Sequence, residues 1–324
     1  MDKAIRDFPK QFLFDPHVER NERLEKKPAV VVSGMGGSHL AADLLQNVYS
    51  HERIIVHADY GLPPMRDEDF QKCLFIANSY SGNTEEVIDG LERALEKKMA
   101  SAVISVGGRL EELADMHGLP HVKIPDTGIQ PRSALGFSLI GLMKLMGLGD
   151  VFGGVRSLAD TLSKGDMEQQ GKELADALRE KTPVIYASGR NMPIAYNWKI
   201  KMNETGKTPA FYNVFPELNH NEMTGFDAVR STRALSAKFH FLFLTDLEDD
   251  PRIQKRMDVC RDLYIQRDLP VTEIPLKGNM RWERIFRSLL VADWFSYHTG
   301  MAYGVETEQV PMVEEFKKVL RTMY

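Results

Sequence analysis

The stretch Ser79-Tyr80-Ser81-Gly82-Asn83-Thr84 places three hydroxyl side chains suited to anion binding within six residues, between the apolar run "CLFIAN" and a charged helical segment. A loop where a strand ends and a helix begins suits an anion, because the first N–H groups of the helix lack intrahelical partners and its dipole favours negative charge. The hydroxyls of Ser79, Ser81 and Thr84 fit a phosphate monoester, Gly82 permits a tight turn, and Asn83 stands where it can cap a helix starting at about Thr84. Ser38, in "SGMGGSHL", adds a hydroxyl from a neighbouring turn at the same sheet edge, supported by Gly36 and Gly37. Open α/β sheets gather ligands at such edges, so two hydroxyl-bearing turns can grip one phosphate. The plainer reading is that these residues only cap a helix and make a turn, although a cap needs one hydroxyl.

"GMGGSH" also competes as a dinucleotide fingerprint, with Asp59 near the end of the next strand. His39 occupies the place of its third glycine, which would hold helix and sheet apart. No GxxxxGK[ST] sequence occurs, which excludes a nucleotide P-loop, and no cofactor is expected.

The elements that must position these residues follow from the hydropathy pattern. "AVVVS", "RIIVHAD", "CLFIANS", "SAVISV" and "HVKIP" are short apolar runs separated by helix-length segments, the pattern of a parallel sheet covered on both faces. A helix near 133–146 follows, then the glycines of "GLGDVFGG", then a long polar helix expected from about Arg156 to Lys181. The alternation restarts with "PVIYASG", "TPAFYN", "KFHFLFLTD" and "LPVTEIP". Two α/β domains are expected, residues 1–152 and 153–324. Their first strand and turn repeat, "AVVVSGMGGSHLAADLL" against "PVIYASGRNMPIAYNWK". One strand later "LFIANSYSGNTEEV" meets "FLFLTDLEDDPRI", in which carboxylates replace the hydroxyls. The anion site therefore belongs to the first domain alone.

Composition narrows the function classes. At 324 residues the chain can bury two cores. Its net charge of −5, with both signs interspersed, offers no basic stripe for nucleic acid or an anionic membrane. Cys73 and Cys260 lie far apart beside apolar residues and read as buried thiols, without a disulfide framework or a CxxC metal site. The charged start "MDKAIRDFPK" is unlike a signal peptide, and Lys144 interrupts the most apolar later stretch, so a soluble cytoplasmic protein is expected. Trp198, Trp282 and Trp294 fall in helical patterns and read as packing residues.

Taken in order, "GMGGS", "SYSGNT", "QPRSALG", "KMNE", "ELNHNE" and "VPMVEEFKKVL" make the chain resemble the sugar isomerase (SIS) domain superfamily. Within it, the chain is similar nearly end to end to the bifunctional phosphoglucose/phosphomannose isomerase family. "SYSGNT" alone marks only a phosphosugar-binding domain, which enzymes and sugar-sensing regulators share. The resemblance implies two SIS-type αβα sandwich domains, each with a mainly five-stranded parallel sheet, and a homodimer with shared active sites. It implies phosphohexose substrates, with glucose 6-phosphate and mannose 6-phosphate converted to and from fructose 6-phosphate. It further implies Ser38, Ser79, Ser81 and Thr84 as phosphate ligands, Arg132 as enediolate stabiliser, Glu204 as proton-transfer base, and His220 and Lys317 as the ring-opening pair. The histidine would come from the partner subunit.

These residue types suit that chemistry. Aldose–ketose isomerisation opens the ring and carries a proton between C2 and C1 through a cis-enediol. It needs one base serving both carbons, a role a carboxylate such as Glu204 can fill. An always-charged guanidinium can stabilise the oxyanion without exchanging a proton, and histidine suits the ring-opening transfers near neutral pH. Plainer readings stand beside each: Arg132 as a surface cation at a turn, Glu204 as an exposed helix-end carboxylate, Lys317 as the solvated face of a terminal amphipathic helix. His220 with Glu222 is at most half of a metal site, and no metal is expected. A non-catalytic phosphosugar-binding regulator, or an isomerase for another phosphosugar, would keep the loop and differ elsewhere.

Overall fold

The structure, a computed structural model, describes residues 1–149 and 152–323. Residues 150 and 151, inside the glycine-marked boundary of the sequence, and residue 324 lie outside the described residues. The chain divides into two compact units, Lys3–Gly165 and Met1–Asp2 with Asp166–Tyr324.

The first unit holds strands β1 (Val18–Glu19), β2 (Ala29–Ser33), β3 (Ile54–His57), β4 (Cys73–Asn78), β5 (Ala100–Ser105) and β6 (His121–Lys123). They form one sheet in the order β1-β6-β5-β4-β2-β3. β2 to β6 are parallel, and β1 pairs antiparallel with β6. Its principal helices are α1 (Gly37–Val48), α2 (Glu85–Glu96), α3 (Gly108–His117) and α4 (Leu135–Leu145). The central strands are apolar on both faces because helices cover both. Val31, Phe75, Ala77 and Val103 pack one face against Val87 and Leu91 of α2 and Leu110 and Ala114 of α3. On the other face α4 is buried except at Lys144. Gly141 lets it approach closely, since a Cβ there would meet Ile104 at 3.3 Å and Val122 at 3.4 Å.

The second unit begins with α5 (Met167–Ala177) and continues through β7 (Thr182–Ser188), α6 (Met192–Glu204) and β8 (Phe211–Phe215). It then runs through β9 (Phe239–Thr245), α7 (Pro251–Ile265), β10 (Val271–Pro275), α8 (Arg281–Tyr303) and α9 (Pro311–Met323). Its sheet is parallel throughout, in the order β10-β9-β7-β8. Tyr186, Phe215, Phe241, Phe243 and Tyr264 make an aromatic core under α7. Side chains of this size contribute roughly 1.5–3 kcal/mol each on burial. Trp198, Trp282 and Trp294 are buried, and the Trp198 indole donates to Ser288 Oγ at 2.9 Å.

Two sequence expectations are corrected. The first sheet has five parallel strands plus the edge strand β1, but the second has four, because after β10 the chain enters the 23-residue helix α8. The long helix expected over 156–181 breaks into short turns and α5, with Gly165 at φ +132 in the gap. Such a backbone angle suits glycine and interrupts a helix.

Candidate active site

The "SYSGNT" loop lies between β4 and α2, as its sequence implies. Backbone bonds fasten it to β5 and α3: Ser79 N–H donates to Ile104 O (3.0 Å), Val106 N–H to Tyr80 O (2.9 Å) and Leu110 N–H to Gly82 O (3.0 Å). Gly82 is obligatory here, because its φ is +69 and a Cβ would sit 1.8 Å from Gly107 O. Inside the loop the hydroxyls of Ser79 and Thr84 lie 2.7 Å apart, and Ser81 Oγ accepts from Asn83 N–H at 3.2 Å. Asn83 does not cap α2. Its Oδ1 accepts from Arg109 N–H (3.0 Å) in the first turn of α3, and its amide donates to Ser81 O. Thr84 takes the N-cap position without a side-chain cap bond.

The turn after β2 meets this loop. Ser38 Oγ accepts from Tyr80 N–H at 3.2 Å, and the buried Asn78 amide donates to Ser38 O at 2.6 Å. Both turns thus open at one sheet edge, with Ser38 and Ser79 buried, Thr84 half-buried and Ser81 exposed. Gly36 has φ +50. A Cβ on Gly37 would lie 2.7 Å from Arg132 N and 2.8 Å from Pro131 O, so that glycine lets the Arg132 turn come over the start of α1. Arg132 is buried, not a surface cation. His39 is held along its own helix, its Nδ1 2.7 Å from Asp43 Oδ2.

Sequence reasoning missed Gln11. Its amide donates to Ser133 O (2.6 Å) and its Oε1 accepts from Gly136 N–H (3.0 Å) and Phe137 N–H (3.3 Å), clamping the turn that carries Arg132. No local pattern around residue 11 signals partners more than a hundred residues away.

The remaining candidates lie on the second unit. Glu204 is half-buried as the last residue of α6, a helix pinned to α8 by the buried Lys201–Asp293 pair at 2.6 Å. Lys207 donates to the Glu204 carbonyl and to Gln309 O (2.5 Å), placing a cation at the negative end of α6 and tying down the approach to α9. His220 is exposed at the end of the short turn Glu217–His220. Next to it Glu222 accepts from Tyr186 Oη (2.5 Å) and from the Asn213 amide, so it anchors the loop to the sheet. Burial raises the Tyr186 pKa, which keeps that hydroxyl a donor. Lys317 is exposed on α9, 2.8 Å from Glu314 Oε1. Among the described residues no group of three or more metal-ligating side chains forms, and no helix is long and apolar enough to cross a membrane.

Residues 167–320 match the family model of the bacterial phospho-glucose isomerase C-terminal SIS domain. A bifunctional phosphoglucose/phosphomannose isomerase of Caldicellulosiruptor bescii is 33% identical over 342 residues, covering 99% of this chain and 98% of that protein. One of Aquifex aeolicus is 31% identical over 327 residues, 98% of each. Tagatose-6-phosphate ketose/aldose isomerase from Escherichia coli has a similar fold, with a TM-score of 0.65 at 15% identity over 95% of this chain and 93% of that one. Similarity of that length, in a chain whose two parallel sheets carry the turns just described, makes this protein a member of the bifunctional phosphoglucose/phosphomannose isomerase family.

Proposed function

We propose that the protein is an aldose–ketose isomerase that interconverts glucose 6-phosphate and mannose 6-phosphate with fructose 6-phosphate. The observation that carries this reading is the paired mouth of the first unit, where the Ser38 turn and the Ser79–Thr84 loop are hydrogen-bonded to each other and the Arg132 turn packs on Gly37. In this reading Ser38, Ser79, Ser81 and Thr84 hold the phosphate. Glu204 carries the proton between C2 and C1, Arg132 stabilises the enediolate, and His220 with Lys317 opens the ring. The working form is a homodimer in which His220 comes from the partner subunit. Support for a second copy comes from α9, whose Met312, Phe316 and Val319 form one apolar stripe left 82%, 62% and 51% exposed. Two buried free thiols suit a reducing, cytoplasmic setting.

The test is a coupled assay for fructose 6-phosphate started from each aldose, with the solution mass measured in parallel. Both sugars are expected to turn over in a particle of two chains. Glu204→Gln, with its fold checked, is expected to lower kcat by roughly 10²–10⁴-fold. Phosphosugar binding without turnover of either aldose would point instead to a regulator.

A further inference from the structure

At the mouth of the second sheet the turn after β9 faces the turn after β7 over a buried group of charges that isomerisation does not use. Asp246 follows β9 as Ser79 follows β4, and its side chain is 1% exposed. Its Oδ2 accepts from Arg281 Nη1 at 2.9 Å and lies 3.9 Å from Arg190 Nη1. Its Oδ1 accepts from the Glu248 N–H at 3.1 Å and lies 3.8 Å from Arg284 Nε. Beside it the buried Asp249 accepts from Ser188 Oγ at 2.7 Å and from the Asn191 amide at 3.2 Å. Three guanidiniums, a backbone N–H, a side-chain amide and a hydroxyl converge there, a donor set that matches a tetrahedral oxyanion. Arg284 is more than nine-tenths buried, yet its Nε makes no hydrogen bond. A carboxylate has two oxygens to offer, and a tetrahedral anion has more.

We propose that the mouth of the second sheet is an oxyanion site, suited to inorganic phosphate or a phosphate monoester, which the chain fills with its own Asp246 carboxylate and closes with Asp249. The Asp246 carboxylate takes Arg281, and the Glu248 carboxylate pairs with Arg190 at 2.8 Å and with Arg284, so the arginines that an incoming anion would otherwise pair with are balanced and the second unit binds no anion in the native chain. The inference does not depend on the isomerase reading.

The experiment is Asp246→Ser, which gives β9 the residue type that Ser79 gives β4. Melting is followed against inorganic phosphate, with sodium chloride at matched ionic strength as control, and phosphate binding is counted by equilibrium dialysis. In chloride the variant is expected to melt below the native chain, since Arg281 loses its ion pair with Asp246 while Glu248 still pairs with Arg190 and Arg284. Phosphate is expected to raise its melting temperature saturably and by more than it raises that of the native chain, with one phosphate per chain more than the native protein binds. Equal phosphate shifts in the two proteins, a gain that chloride reproduces, or no additional bound phosphate would each overturn the proposal. Failure of the variant to fold even in saturating phosphate would overturn it too, because the anion would then be no substitute for the carboxylate. Comparison with the native chain cancels any phosphate held by the first unit, so loss of the isomerase reading would leave the result standing.

Discussion

The centres of the two sheets have the same strand order, β5-β4-β2-β3 and β10-β9-β7-β8, but their mouths are built from opposite chemistry. In the first, Ser38, Ser79 and Thr84 meet as neutral groups, and the Ser79–Thr84 hydroxyl pair at 2.7 Å can turn its hydrogens towards an arriving anion. In the second, buried carboxylates already occupy the mouth, with Ser188 Oγ donating to Asp249 at 2.7 Å and Arg281 held to Asp246 at 2.9 Å. Breaking one side of a buried ion pair costs about 3–5 kcal/mol, whereas reorienting a hydroxyl costs little. A mouth lined with neutral donors can bind and release a ligand; a mouth closed by ion pairs holds its own turns in place.

The harshest test of this contrast is a single methyl group in each mouth. Gly82→Ala puts a Cβ 1.8 Å from the Gly107 carbonyl at φ +69, so the phosphate loop must move. We expect kcat/KM to fall on the order of 100-fold, the effect of about 1 Å of misplacement, and stability to drop by about 3 kcal/mol. Gly189→Ala, in the turn after β7, meets nothing closer than Phe215 O at 3.8 Å. There we expect a change within about 0.5 kcal/mol and no change in rate. Steady-state kinetics and urea unfolding of both variants decide the matter, and similar losses at the two glycines would erase the distinction between an open and a closed mouth.

A gentler pair separates binding from support. Ser79→Ala removes a hydroxyl assigned to the phosphate, and kcat/KM is expected to fall about tenfold, mostly through KM, as loss of a hydrogen bond to a charged group implies. Ser188→Ala strips one of the donors from the buried Asp249 and one of the acceptors from Asn191, which still bond each other. Its expected cost is about 1–3 kcal/mol of stability, with kcat/KM within about twofold of the native value. A KM effect at Ser188 comparable with that at Ser79 would mean the second mouth takes part in substrate binding.

The same contrast marks what the sequence made legible. Strands such as β2, β4 and β5 could be read because they are short apolar runs bounded by turn residues, whereas β6, β8 and β10 carry polar residues within them. The hydroxyl loop was legible because its chemistry is packed into six neighbouring positions. β1 could not be read, since two residues carry no period. In sequence Asn83 stands beside α2 as a cap would, but its carbonyl oxygen serves Arg109 at the start of α3, a partner only the fold brings near. Gln11 reaches Ser133 from 122 residues away, and nothing in "FPKQF" signals it. That carboxylates replace hydroxyls after β9 was plain; that Asp246 meets three arginines from two other segments was not, because Arg190, Arg281 and Arg284 are scattered along the chain.

The smallest effect concerns protons. Both units bury a histidine whose pKa burial lowers. Burial lowers the pKa of His121 in the first unit, beside Ser105 Oγ at 3.1 Å, and brings that of His240 in the second down to about 4, where its ring lies 2.8 Å from Thr272 Oγ1. A histidine whose folded pKa lies below its unfolded value of about 6.5 stabilises the fold above that pH. Between about 6.5 and 4 the unfolded chain binds the extra proton, so stability falls as pH falls. For His240 alone the loss between pH 7 and 5 is expected to be about 1–2 kcal/mol, at 1.36 kcal/mol per pKa unit. Urea unfolding of the native chain and of His240→Gln at both pH values measures it. The variant is expected to be less stable at pH 7 and less sensitive to acid by that amount. An unchanged acid sensitivity would mean that His240 carries none of the loss.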